Sequence, residues 1–392
     1  MALRGTLPLV FLSLFVAALP RPTLASQRVV DLTAADGTKL KATYFSAEKP
    51  GPGVLLLHQC NRQRKVWDGL AQQLAAAGVN VLTLDYRGFG ESGGVAADKA
   101  TPQQVQEAQA MWPSDIDLAL QYLEAQPNVK SDIIGVGGAS CGVNNSVQAA
   151  RRHPEVKSLV LLSGNTDLNG RNFLRADKNV PVFFAYADDD EFKPSITAIQ
   201  WLYVITADPS KKLVQYANGG HGADIFRVHP ELPNQIVDWY TTTLISTPGR
   251  APTPKDKVAV PTNITILDMI DRPGGALKVE EQLTEARKRD PGATLFDEAT
   301  VNLIGYEYMQ AGELKTATEI FKLNAMAFPN SPNVYDSLGD AYVAAGQKQL
   351  AVENARKALE LLASDTTDDQ QRKDAIKASA EQKLKQLGGS PE

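Results

Sequence analysis

Ser140 lies in the stretch Asp132 to Val147, D-I-I-G-V-G-G-A-S-C-G-V-N-N-S-V, within the frame Gly138-Ala139-Ser140-Cys141-Gly142. A serine hydroxyl attacks a carbonyl only when a base takes its proton and when donors receive the charge that develops on the carbonyl oxygen. A base is available in His221, set in Gly219-Gly220-His221-Gly222, and an acid to orient it in the run Asp188-Asp189-Asp190. A histidine on a glycine-rich loop behind the last strand can reach Ser140, first as general base and then as acid to the leaving group. The other histidines have duller places: His153 closes a helix and His229, beside Pro230, belongs to the surface.

The elements that must hold Ser140 are legible around it. Ile133 to Val136 is a short apolar run that enters a cluster of very small residues, and Val143 to Ala150 has helical character without Pro or Gly. The segment therefore reads as strand, sharp turn, helix. In such a turn a side chain two residues before or after the nucleophile would clash, a demand met by Gly138 and Gly142 for Ser140; choosing Cys141 would place Ala139 and Val143 there. This stretch resembles the nucleophile elbow of the α/β-hydrolase superfamily. The N-terminal part is most similar to its dienelactone-hydrolase branch, where a cysteine occupies the nucleophile position.

The resemblance implies an α/β-hydrolase fold, a mostly parallel sheet flanked by helices, and the order serine, acid, histidine along the chain. Counting from Ala187, which stands where the family usually has glycine, the acid falls at Asp190; Asp189 is its nearest rival and Asp167 a distant one. The implied reaction is cleavage of an acyl, ester-type bond in a small acyl substrate through an acyl-enzyme, without metal or organic cofactor. Esterase, lactonase, thioesterase and peptidase share this machinery, and the sequence does not choose among them.

The resemblance also supplies an oxyanion hole made of two backbone N–H groups. One belongs to Cys141 and the other to Cys60, in His58-Gln59-Cys60-Asn61, where many relatives have H-G-x. His58 then shapes the loop, and Gln59 departs from the pattern. With these assignments the two cysteines of the chain flank one hole, close enough for a Cys60–Cys141 disulfide. Side-chain direction is not readable from sequence, so two buried thiols pointing apart remain the alternative.

Along the chain, Arg28 to Leu32 and Lys39 to Phe45 form a hairpin through Asp36-Gly37. Val54 to Leu57 and Val79 to Leu84 are buried strands around a helix over Val66 to Ala77, which Gly78 closes. Asp85 to Ser92 matches the D-x-R-G-x-G-x-S turn of the superfamily and is structural, with lining of the site left open as the alternative for Tyr86. Val95 to Met111 lacks a period and reads as a surface loop, until Trp112-Pro113 opens a helix through Ala125. Ser158 to Leu162, Pro181 to Ala185 and Leu213 to Tyr216 are strands, and Pro233 to Leu244 is a closing helix. Only Ser163 to Val180 fills the place where relatives insert a lid, which predicts an open, lidless site.

At 392 residues the chain predicts two domains, and a net charge of −5 speaks against nucleic acid as a partner. Residues 1–25 carry Arg4, an apolar run from Leu7 to Leu19, the break Pro20-Arg21-Pro22, and Thr23 and Ala25 before a cleavage site at Ser26. That is the pattern of a secretory signal peptide, and the run is too short to span a membrane. The expectation is a periplasmic or extracellular protein with no membrane span after cleavage. A hydrolase domain over 26–245 is followed by a proline-rich linker over 246–263 and a helical domain over 264–392. In the latter Gly305, Tyr308, Gly312 and Ala317 recur 34 residues on as Gly339, Tyr342, Gly346 and Ala351. This period resembles tetratricopeptide (TPR) repeats, here 298–331 and 332–365, with helices around Leu277 to Arg289 and Gln370 to Leu387 as caps. Such repeats imply a protein or peptide partner. The rival readings are a structural appendage, and a TPR scaffold whose hydrolase domain is inactive or secondary.

Overall fold

Apolar runs too short to be helices alternate with amphipathic segments, and in the computed structural model they become one sheet covered on both faces. The structure describes residues 26–253, 261–366 and 368–388. The expected signal peptide and residues 254–260 of the linker lie outside the described residues.

Strands β1 (Gln27–Thr33) and β2 (Lys39–Phe45) form the expected antiparallel hairpin. There follow β3 (Gly51–Leu57), α1 (Asp68–Ala77), β4 (Asn80–Leu84), α2 (Pro102–Glu124), β5 (Val129–Ala139) and α3 (Cys141–Arg152). Next come β6 (Val156–Leu162), α4 (Leu168–Ala176), β7 (Val182–Ala187), α5 (Lys193–Ile205) and β8 (Lys212–Tyr216), then α6 (Ile225–Val228) and α7 (Glu231–Tyr240). The strand order is β1-β2-β4-β3-β5-β6-β7-β8, parallel from β4 through β8. Every residue of β3 and β4 is buried, as a strand covered on both faces requires. Alternation divides the core: Leu55, Leu57, Leu82 and Leu84 point to one face and Val54, Leu56 and Val81 to the other.

Two sequence expectations are corrected here. The segment read as a loop from Val95 to Met111 is helical from Pro102, so Trp112-Pro113 lies inside α2 rather than at its start. Its signal was a cap, not a period. Gln104 N–H donates to Thr101 Oγ1 at 3.3 Å while Thr101 N–H donates to Gln104 Oε1 at 3.0 Å, a capping box with Pro102 at the first helical position. The first turns of α2 are largely exposed, so nothing there imposes apolar periodicity. The closing helix α7 is regular only to Tyr240, after which Thr241–Ser246 widens into a π-helical turn.

Downstream lie α8 (Thr262–Ile270), α9 (Gly275–Arg289), α10 (Glu298–Gln310), α11 (Leu314–Ala327), α12 (Pro332–Ala344), α13 (Lys348–Leu362) and α14 (Gln370–Leu387). Neighbours α10 and α11, α12 and α13, and α13 and α14 pack on one another, while α8 packs on α5 of the sheet region. One apolar core therefore continues from Leu174, Ile199 and Leu202 into Ile264, Leu267 and Ile270.

Within that contact Arg171 of α4 is fully buried. Its guanidinium donates through Nε and Nη2 to both carboxylate oxygens of Asp271 at 2.8 Å, through Nη2 to Glu307 of α10 at 2.5 Å, and through Nη1 to the Thr166 carbonyl at 2.8 Å. Arg175 adds bonds to Asp268 at 2.8 Å and Asp271 at 2.7 Å. A buried ion cluster gains little net stability over apolar packing, but breaking it leaves charges stranded. Accordingly, Arg171→Ala is expected to cost about 3–5 kcal/mol of unfolding free energy in urea titration. The triple change Arg171→Met, Asp271→Leu, Glu307→Leu should cost far less.

Candidate active site

Ser140 occupies the single residue between β5 and α3, at φ 53° and ψ −119°. A non-glycine residue in this region stores about 1–3 kcal/mol of strain and persists only where its surroundings fix it. They do so through Ser140 N–H on the Leu162 carbonyl and Val143 N–H on the Ser140 carbonyl, each at 2.9 Å. A Cβ on Gly138 would fall 2.0 Å from the Gly142 carbonyl oxygen, and one on Gly142 would fall 2.4 Å from that of Leu57. Both glycines are thus imposed by strand and helix backbones in near contact.

His221 follows β8, and its Nδ1 lies 3.0 and 2.9 Å from the two carboxylate oxygens of Asp190 behind β7. Facing a carboxylate, Nδ1 carries the proton and donates, which leaves Nε2 as the free acceptor. Asp190 is fully buried and also accepts from Phe192 N–H at 2.8 Å and Ser195 Oγ at 2.6 Å. Burial pushes its carboxyl up, but the bonds from His221, Ser195 and Phe192 outweigh this and hold it below the ordinary carboxylate value. The rival acids are engaged elsewhere. Asp189 accepts from Gly220 N–H at 2.8 Å, and Asp167 caps α4 through Gly170 N–H at 2.9 Å.

Ser140 and His221 line one cavity of about 540 Å³ together with Cys60, Cys141, Phe192 and Trp201. Among the described residues no hydrogen bond joins Ser140 directly to His221, a gap that catalytic pairs commonly close when substrate arrives. Cys60 and Cys141 are joined in a disulfide with Cα atoms 5.9 Å apart. Cys141 opens α3, where the first N–H groups have no partner inside the helix and point outward.

Gln59, the departure from the family pattern, proves to be a tether. It is fully buried; its Oε1 accepts from Ala223 N–H at 2.8 Å and its Nε2 donates to the His221 carbonyl at 3.2 Å. The Cys60 loop is thereby fastened to the histidine loop as well as to the elbow. Arg62 adds an ion pair to Asp224 at 2.7 Å on the same histidine loop. Nothing in the sequence announced this role beyond an amide where glycine was expected.

His58 shapes the loop from within. Its Nδ1 lies 2.8 Å from the Gln59 carbonyl and its Nε2 accepts from Tyr86 N–H, while burial pushes the imidazole pKa down and keeps it neutral. Tyr86 takes the structural role rather than the alternative of lining the site: it is fully buried, stacked on Trp112 with ring centroids 4.5 Å apart. A large flat ring beside Trp112 gains more from stacking than from facing the cavity. The Asp85–Ser92 turn is structural, with Asp85 bound to Arg64, Arg87 bidentate on Asp115, and Ser92 Oγ on the Asp85 carbonyl.

The segment 163–180 holds only the short α4 and no inserted lid. Thr300 and Leu303 of α10 form part of the cavity wall. This part of the wall comes from more than a hundred residues downstream, through a tertiary contact that no local pattern encodes.

The strand order, the elbow at the end of β5 and the flanking helices decide the architecture. The N-terminal region has the α/β-hydrolase fold. Residues 48–183 match the Hydrolase_4 family, described as serine aminopeptidase, S33. Over 134 residues the chain is 26% identical to the thiohydrolase aneE of Aspergillus aculeatus, a match covering 33% of this chain and 39% of that protein. The chain thus spans about two-fifths of the length of this curated relative. Among solved structures, the esterase Pf2001 of Pyrococcus furiosus superposes with a TM-score of 0.44 at 19% identity, covering 56% of this chain and 93% of that one. A dienelactone hydrolase of Anabaena variabilis gives 0.45 at 18% identity, covering 56% and 99%.

Two outcomes are expected from this geometry. A folded-state pKa held down on Asp190 contributes stability that is present above the unfolded carboxylate value, near 3.9, and is lost as pH falls through the folded value. Urea titrations between about pH 5 and 3 should therefore show wild type losing stability more steeply than Asp190→Asn. Gln59→Ala strands Ala223 N–H and the His221 carbonyl, at a cost of about 1–3 kcal/mol in the same assay at neutral pH.

Proposed function

We propose that this chain is an exported serine hydrolase that cleaves an ester-type acyl bond. Ser140 Oγ attacks the carbonyl carbon, and His221 Nε2 takes the hydroxyl proton while Asp190 holds the ring and balances the imidazolium charge. The N–H groups of Cys60 and Cys141 receive the oxyanion. His221 then protonates the leaving group as the tetrahedral intermediate collapses to an acyl-enzyme. A water, deprotonated by His221, attacks that ester, and the acid departs as Ser140 regains its proton. The observation that carries the reading is His221 Nδ1 on the buried Asp190 carboxylate, across one cavity from a strained serine at a helix N-terminus.

A thioester is the alternative bond, since one relative is named a thiohydrolase. Export is supported by the sequence of residues 1–25 and by the Cys60–Cys141 bridge, a bond that persists in oxidising compartments. We take 26–245 as the hydrolase domain and 264–392 as a tetratricopeptide-like domain, on the strength of the 34-residue period and its two helix pairs. Work inside the hydrolase, rather than as a separate docking scaffold, is favoured by the turning of α10 into the cavity.

Treating the purified protein with a fluorophosphonate should give a stoichiometric adduct on the peptide that carries Ser140. Ser140→Ala should abolish it, and His221→Ala should slow it by at least about a hundredfold, the contribution expected of a general base. Folded wild type that stays unlabelled would sink the serine-hydrolase reading.

A further inference from the structure

Helix α10 touches the sheet region with one face. Thr300, Leu303 and Glu307 are spaced i, i+3 and i+7, so they lie on a single stripe. Glu307 grips Arg171 at 2.5 Å, while Thr300 and Leu303 border the catalytic cavity. The same guanidinium lies over the ring of Trp201, 4.7 Å from its centroid, and Trp201 forms another part of the cavity wall. The buried ion cluster thus fixes the distance between the two walls. Phe192 borders the same cavity, its ring centroid 4.8 Å from that of His221.

Leu303 is 50% exposed and Phe192 53%, and both border this cavity. Singly exposed apolar side chains are ordinary, but two that border one cavity with Ser140 and His221, together with Pro194, Ala198 and Trp201, give that cavity a largely apolar lining. Ser140 borders the same cavity, so an acyl group carried on its Oγ would extend into this lining.

We propose that α10 is the specificity wall of this site, with Leu303 and Phe192 seating a linear apolar acyl chain of medium length, of the hexanoyl to octanoyl class. This rests on the serine-hydrolase reading above. The helical region then sets which acyl chain is accepted, and the lid that segment 163–180 lacks is supplied by a helix held rigidly in place. Each methylene buried in such a cavity is worth about a fourfold preference.

The experiment uses the full chain. Wild type, Leu303→Asp and Leu303→Trp are assayed on p-nitrophenyl acetate and hexanoate, with Leu350→Asp, an exposed leucine of α13, as control. Wild type should favour hexanoate in kcat/KM by at least about tenfold. Leu303→Asp should cut that ratio about tenfold, mainly through KM for hexanoate, and Leu303→Trp should cut it by filling the cavity. Leu350→Asp should keep the wild-type ratio. Binding without turnover provides a separate readout: in Ser140→Ala, octanoate should quench or shift tryptophan emission at concentrations at least about tenfold below butyrate. Adding Leu303→Asp should remove that difference.

A labelled Ser140 with no chain-length preference, or a ratio untouched by both Leu303 variants, overturns the proposal and leaves the hydrolase standing. Equal binding of butyrate and octanoate to Ser140→Ala overturns it too. An unlabelled Ser140 together with chain-length-dependent binding overturns the hydrolase reading instead and supports the apolar cavity.

Discussion

A covalent bond between Cys60 and Cys141, with the Gln59 amide beside it, ties together three loops that leave the sheet at the ends of β3, β5 and β8. Each loop alone is a flexible connection, and the chemistry proposed for them tolerates little misplacement of the groups they carry. The bridge closes a loop across a sequence separation of 81 residues, worth roughly 4.5 kcal/mol on the chain-entropy model. Its local effect matters as much. Both residues that would supply oxyanion donors are fixed by one bond, and Gln59 carries that rigidity to the backbone of the histidine. Donors held in advance need not be reorganised when charge develops.

The second constraint is Arg171. Removing three charged groups from water is costly, and apolar packing over the same volume would serve stability about as well. What the cluster provides is register. The bidentate Arg171–Asp271 contact and its bond to Glu307 admit one placement of α8 and α10 against α4, where a greasy interface would tolerate sliding. Since α10 also borders the cavity, this register reaches the site itself.

Much of this was readable in the chain. The elbow announced itself because Gly138 and Gly142 are forced by backbone contact, and such steric demands leave residue-level traces. The hairpin, the parallel strands and the placement of Ser140, Asp190 and His221 at strand ends followed from short-range patterns. What escaped notice depended on long-range packing or on side-chain direction. The first half of α2 has no buried face and so no period, and the direction of the Tyr86 ring, stacked on Trp112, leaves no mark in the local sequence. Gln59 read as an anomaly because its partners, Ala223 and His221, are more than 160 residues away. The disulfide could be posed but not decided, and the α10 wall could not be posed at all.

The strain at Ser140 has a consequence for how such a protein drifts. Its φ of 53° is held by strand pairing on both sides of β5, so the folded state forgoes at this one residue stability that the rest of the sheet must carry. Glycine would sit there at ease. Selection for thermal robustness alone would therefore wear away this serine before the scaffold, and on the reading proposed above its presence records a standing compromise between durability and reactivity.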